Sequence, residues 1–104
     1  MSDLLDPWEV VDLQRRPALE AELARELSPD HALSGMAARA IAKRIDRDDV
    51  LFEVPGIGYA VVRLTWSGPG ESSPKWPSTT IFSSHEEWRA QGMMPDHEGY
   101  SSGG

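Results

Sequence analysis

The chain has 104 residues, 39% of them hydrophobic, which suffices for one compact domain and leaves no room for a second of ordinary size. Seventeen acids against ten bases give a formal net charge of -7, which disfavours attraction to nucleic-acid phosphates or anionic lipid and favours a basic partner. The lack of cysteine removes disulfides, thiolate zinc sites and thiol nucleophiles. An acidic opening stretch and the lack of any apolar run near the ~20 residues of a membrane span lead us to expect a cytoplasmic protein.

At the N-terminus Asp6-Pro7-x-Glu9 carries helix-start signals, with Asp6 as cap, Pro7 in the first turn and Glu9 at the third position. Pro17 follows closely, so one or two turns are all that fits, and residues 1–16 are expected to form a partly ordered segment with Trp8 packed on the domain. From Pro17 to Leu27, Leu19, Leu23 and Leu27 recur every four residues among alanines and predict a helix with one stripe toward the core. Glu20, Glu22 and Glu26 are then assigned to its solvated outer face. Ser28-Pro29-Asp30 ends this helix and Ser34-Gly35 opens another, where Met36, Ala37, Ala40, Ile41 and Ile45 trace a second apolar stripe. Arg39, Lys43, Arg44 and Arg47 lie opposite that stripe as the only basic cluster, with neutralisation inside the fold weighed against ligand binding. Asp46-Arg47-Asp48-Asp49 begins like a calcium loop, but Val50 and Leu51 stand at its fifth and sixth places, where a ligand and a glycine are needed. A helix-to-strand turn is expected instead.

The centre of the chain switches to period two. Val50, Phe52 and Val54 alternate with Leu51 and Glu53, and after Pro55-Gly56-Ile57-Gly58 the residues Ala60, Val62, Leu64 and Trp66 alternate with Tyr59, Val61, Arg63 and Thr65. Two strands joined by a glycine-containing turn follow, and Gly56-x-Gly58 is no dinucleotide motif because no helix comes after it. Tyr59, Val61 and Leu51 are expected to be partly exposed on a sheet face without helices. Ser67 to Ser78 reads as a long polar loop holding Glu71, Lys75 and Trp76, the last serving either as an anchor or as a contact residue. Thr79 to Phe82 predicts a third strand, and Ser83-x-x-Glu86 with Ser84-x-x-Glu87 predicts a capped helix through Trp88 to Gln91, ended by Gly92. The remainder, 93–104, is read as a flexible tail.

His31, His85 and His97 each have an acidic neighbour, but none has the spacing of a metal site. No Gly-x-Ser-x-Gly elbow supports a serine triad from Ser84, His85 and Asp30, and Tyr59 with Arg63 makes a poor platform for nucleic acid. No cofactor is expected. Asp48-Asp49-Val50-Leu51-Phe52, Ala60-Val61-Val62-x-Leu64-Thr65-Trp66, Pro74-x-Trp76-Pro77-x-Thr79-x-x-Phe82 and Glu87-Trp88 together resemble a group of short uncharacterised bacterial proteins over Leu33 to Asp96. That resemblance implies a bacterial, single-domain, cytosolic protein and transfers no activity.

These patterns add up to an expected α+β domain over 17–92, two N-terminal helices and one C-terminal helix packed on a three-stranded antiparallel sheet. The expected function is a non-catalytic interaction module for a basic protein, in the manner of an immunity protein or regulatory inhibitor, using Trp76, Lys75, Glu71, Tyr59 and Arg63. The alternative is a ligand or enzyme pocket between sheet and helices built on Arg63, Tyr59, His85 or Glu53, and self-association through the exposed sheet face is a third possibility.

Overall fold

The computed structural model describes residues 4–27, 29–66 and 78–102. Its centre is a five-stranded antiparallel meander in the order β1 (Trp8–Val10), β2 (Arg39–Arg44), β3 (Asp49–Val54), β4 (Gly58–Arg63) and β5 (Thr79–Phe82). One helix, α1 (Arg16–Glu26), covers one face, and a continuous C-terminal helical segment covers the other. That segment comprises α2 (His85–Trp88), a π-helical turn (Arg89–Met93) and α3 (Met94–Ser102).

The class is α+β, but the architecture differs from the expected one: five strands replace three, and one N-terminal helix replaces two. The stripe read as a second helix is strand β2. Its register with β3 shifts between Ala40, which lies opposite Phe52, and Ala42, which lies opposite Leu51. The extra residue of this bulge turns Ala40 toward the α1 layer, while Ile41 and Ala42 both pack toward the C-terminal layer. Neighbours two apart therefore face opposite ways, and the interrupted alternation mimics a helical repeat.

Asp46 and its neighbours accordingly form a strand-to-strand turn between β2 and β3, not a helix-to-strand one. Asp6-Pro7 leads into β1, not a helix. Its pairing with β2 is fixed by the Ile45 N–H donating to the Pro7 carbonyl at 2.7 Å and the Val11 N–H donating to the Ile41 carbonyl at 3.1 Å.

The α1 layer buries Val11, Leu19, Leu23, Leu33, Val50, Phe52, Val54, Val62 and Leu64. The other layer buries Trp8, Ala42, Leu51, Phe82, Trp88 and Met93, and Tyr59 and Val61 pack against it. The sheet face expected to lack helices is thus covered and Leu51 is fully buried, while Tyr59 and Val61 remain partly exposed, as expected. Trp8 and Trp88 meet edge to face with centroids 5.3 Å apart, which contributes about 0.5–1.5 kcal/mol beyond their burial.

Gly92 does not end the helix. A Cβ there would lie 2.8 Å from the Trp88 indole, so glycine lets the ring pack against the π-helical turn. Where a flexible tail was expected over 93–104, the chain is helical through Ser102, and tertiary contacts hold it. The Trp8 indole N–H donates to Asp96 at 3.0 Å, Arg44 pairs with Asp96 at 3.3 Å, and His97 meets the Asp6 carbonyl at 2.8 Å.

Candidate functional site

Of the residues expected to form a binding surface, Trp76, Lys75 and Glu71 lie outside the described residues. Tyr59 and Arg63 share β4 but sit at opposite ends of its pairing with β3. The Tyr59 hydroxyl donates to Glu53 at 3.3 Å and its ring meets the edge of His85, whereas Arg63 reaches Asp49 at 2.9 Å. Glu53 is also paired with Arg39, whose hydrogen bond holds its carboxyl below the usual range. Tyr59 therefore adjoins both His85 and Glu53 while Arg63 is remote, so the four do not form one pocket.

The basic cluster is largely neutralised within the fold: Arg39 by Glu53, Lys43 by Asp48, and Arg44 by Asp46 and Asp96. Arg44 is buried, and its two-pronged contact with Asp46 lowers the pKa of that carboxyl through the hydrogen bond. Arg44, Asp46, Arg47, Pro95, Asp96, Gly99 and Tyr100 line an open cleft of about 650 Å³ between the β2–β3 turn and α3. Two arginines and two aspartates make it neutral overall, and Arg44 already meets both carboxylates. It has no net attraction for an ion of either sign. Among the described residues no group of three or more His, Cys, Asp or Glu side chains is placed to hold a metal.

What reading the sequence missed lies at two places. On α1, Glu22 and Glu26 are 4% and 2% exposed, not solvated. They occupy the same face as Leu19 and Leu23, at the three- and four-residue spacing that marks a core stripe, and that spacing was the available signal. Glu26 accepts the backbone N–H groups of Thr65 and Trp66 at about 3.0 Å, while Arg25 binds Glu22 at 2.6 Å. Burial raises the Glu22 pKa, and a hydrogen bond to Glu26 adds to that. Burial would raise Glu26 too, but the hydrogen bond from Glu22 and those from Thr65 and Trp66 outweigh it and bring the pKa down.

The second place is the outer edge of β5. The register sets Phe82 opposite Tyr59 and Thr80 opposite Val61, and the Arg63 N–H donates to the Ser78 carbonyl at 3.0 Å. Alternate residues of an antiparallel strand turn their N–H and C=O groups to opposite sides. Thr79 and Ile81 therefore direct theirs away from β4, and no described strand pairs with Ile81 on that side. The Ile81 side chain is 44% exposed, and β5 carries no charge, proline or bulge of the kind that usually blocks such an edge. Near its ends stand two exposed acids, Asp30 beside the His31 that contacts Thr79 and Glu86 in the first turn of α2. Neither makes a salt bridge among the described residues.

Comparison of the chain with protein-family models, with curated proteins and with solved structures found no match, so its functional reading rests on this geometry.

Proposed function

We propose that the protein is a non-catalytic interaction module that takes an extended, basic segment of a protein partner along the outer edge of β5. The observation that carries the reading is the uncharged outer edge of β5, where among the described residues no strand pairs with Ile81, with an acid near each end. An incoming strand would gain main-chain hydrogen bonds from Ile81, contact with the Ile81 side chain, and charge pairing at Asp30 and Glu86. The acidic balance of the whole chain, -7, adds steering of a cationic partner that falls off with salt. An inhibitor or immunity-type role against a basic protein fits this chemistry.

The test is a titration of the isotope-labelled chain with an extended peptide of alternating threonine and valine flanked by lysines, followed through backbone amide shifts. The expected outcome is perturbation centred on Thr79 and Ile81, weakened by salt, absent with a glutamate-flanked peptide and lost in Ile81→Pro. Binding of the two peptides with equal strength, or perturbation centred away from β5, would refute the reading.

A further inference from the structure

We propose that the carboxyl groups of Glu22 and Glu26 form a one-proton latch on the turn that follows β4: a proton shared between them holds the Thr65 and Trp66 amides, and its loss releases them. Glu26 acts as an acceptor through both oxygens, taking the Thr65 and Trp66 N–H groups. Glu22 Oε1 takes Arg25, but Glu22 Oε2 is buried and meets no N–H or O–H donor. One turn on, on the same buried face of α1, stands the Glu26 carboxylate, itself an acceptor. Two buried carboxyls one turn apart, one of them with an oxygen that meets no donor, are reconciled by one proton, carried by Glu22 and donated to Glu26.

The surroundings support that assignment. The charged groups acting on Glu22 are Glu26, which favours protonation, and Arg25, which opposes it, both from α1. The post-β4 turn presents backbone amides to Glu26, not charges. Across the interface with β2, Arg16 and Glu20 are tied to the main chain of Ala40. Arg25 is half exposed and its attraction is screened by water, whereas both glutamates are buried and their mutual repulsion, once both are ionised, is not.

The latched turn is one that needs holding. Trp66 has a φ of 55°, the left-handed region that a tryptophan enters only under constraint, and its N–H is bound by Glu26. Its indole is 46% exposed, so it is not pinned by burial. The N–H preceding this turn, that of Leu64, donates to the Asp48 carbonyl at 3.1 Å and keeps β4 attached when the two following amides let go. Loss of the proton thus acts locally, on Thr65 and Trp66, and leaves the sheet in place.

The experiment is a titration of the full chain from about pH 4 to about pH 9, reading the Glu22 and Glu26 carboxyl carbons and the Thr65 and Trp66 amides by NMR. Glu22 is expected to titrate above the ordinary glutamate midpoint, with both amides shifting at that same midpoint and losing about tenfold in exchange protection, after correction for intrinsic rates. In Glu22→Gln, whose side-chain amide supplies a permanent donor to Glu26, the step should vanish and the two amides should stay at their low-pH positions. A Glu22 midpoint at or below the ordinary glutamate value, read in the unmodified chain, would overturn the proposal whether or not the variant folds. So would an amide step that survives in a folded Glu22→Gln.

Discussion

Replacing Gly58 by alanine tests the packing of β5 against the turn between β3 and β4. Gly58 has a φ of 127°, and a Cβ at that position would lie 2.4 Å from the Phe82 carbonyl oxygen and 3.0 Å from that of Ser83. Both neighbours are main-chain atoms at the end of β5, so no side-chain rotation relieves the contact. Gly56, two residues earlier in the same turn, is the control: its φ is 88°, and nothing lies within 4 Å of its Cβ position. Gly56→Ala therefore carries the backbone strain alone, about 1–3 kcal/mol for a side chain held at positive φ. Gly58→Ala carries that strain plus about 1–3 kcal/mol of overpacking, or about 2–6 kcal/mol together. In urea, where small proteins show slopes of about 1–3 kcal/mol per molar, the excess of Gly58→Ala over Gly56→Ala should lower the midpoint further by about 1 M. Equilibrium unfolding followed by far-ultraviolet circular dichroism reads both variants. If they agree within about 0.5 kcal/mol, β5 does not approach the turn as closely as its contacts with Gly58 require.

Asp96→Ala removes the partner of the buried Trp8 indole and one of the two carboxylates on Arg44; a loss of about 1–3 kcal/mol is expected, with exchange protection falling first in α3, and Asp96→Asn should recover part of it. Gly92→Ala sets about 1–3 kcal/mol of overpacking against the Trp88 ring against a gain of about 1 kcal/mol in helix propensity, so a net loss of up to about 2 kcal/mol is expected in thermal unfolding. Stability should also depend on pH in two opposite ways. Glu26, Asp46 and Glu53 titrate below their usual range in the folded chain, so the stability they contribute is present above the unfolded value and lost as pH falls through the folded one. Glu22 titrates above its usual range, so its contribution is complete below the unfolded value and lost as pH rises through the folded one. Urea midpoints measured across pH should show Glu22→Gln removing only this upper decline.

How much of this molecule could be read from its residues depends on how far away each element finds its partner. The β3–β4 pair was legible because both strands alternate and the turn between them supplies its own glycines at positive φ. The α2 start was legible because Ser84 accepts the Glu87 N–H three residues on. In contrast, β1 and α3 draw their order from contacts such as Trp8 to Asp96, which join opposite ends of the chain and leave no periodic trace in either segment. The failure at β2 is of another kind, since its bulge breaks the alternation that identifies a strand and leaves an apparent helical repeat over Ala37, Ala40 and Ile41.

The two places that matter most for function were obscured for opposite reasons. Glu22 and Glu26 stand at core spacing on α1, but residue type argued for solvent. What justifies their burial is a pair of main-chain amides about forty residues further along, in need of an acceptor. The Thr79-Thr80-Ile81-Phe82 run read plainly as a strand, yet nothing within it distinguishes an interior strand from an edge. That distinction belongs to the order of the sheet, in which β5 is the last described strand and Ile81 turns its main chain away from β4.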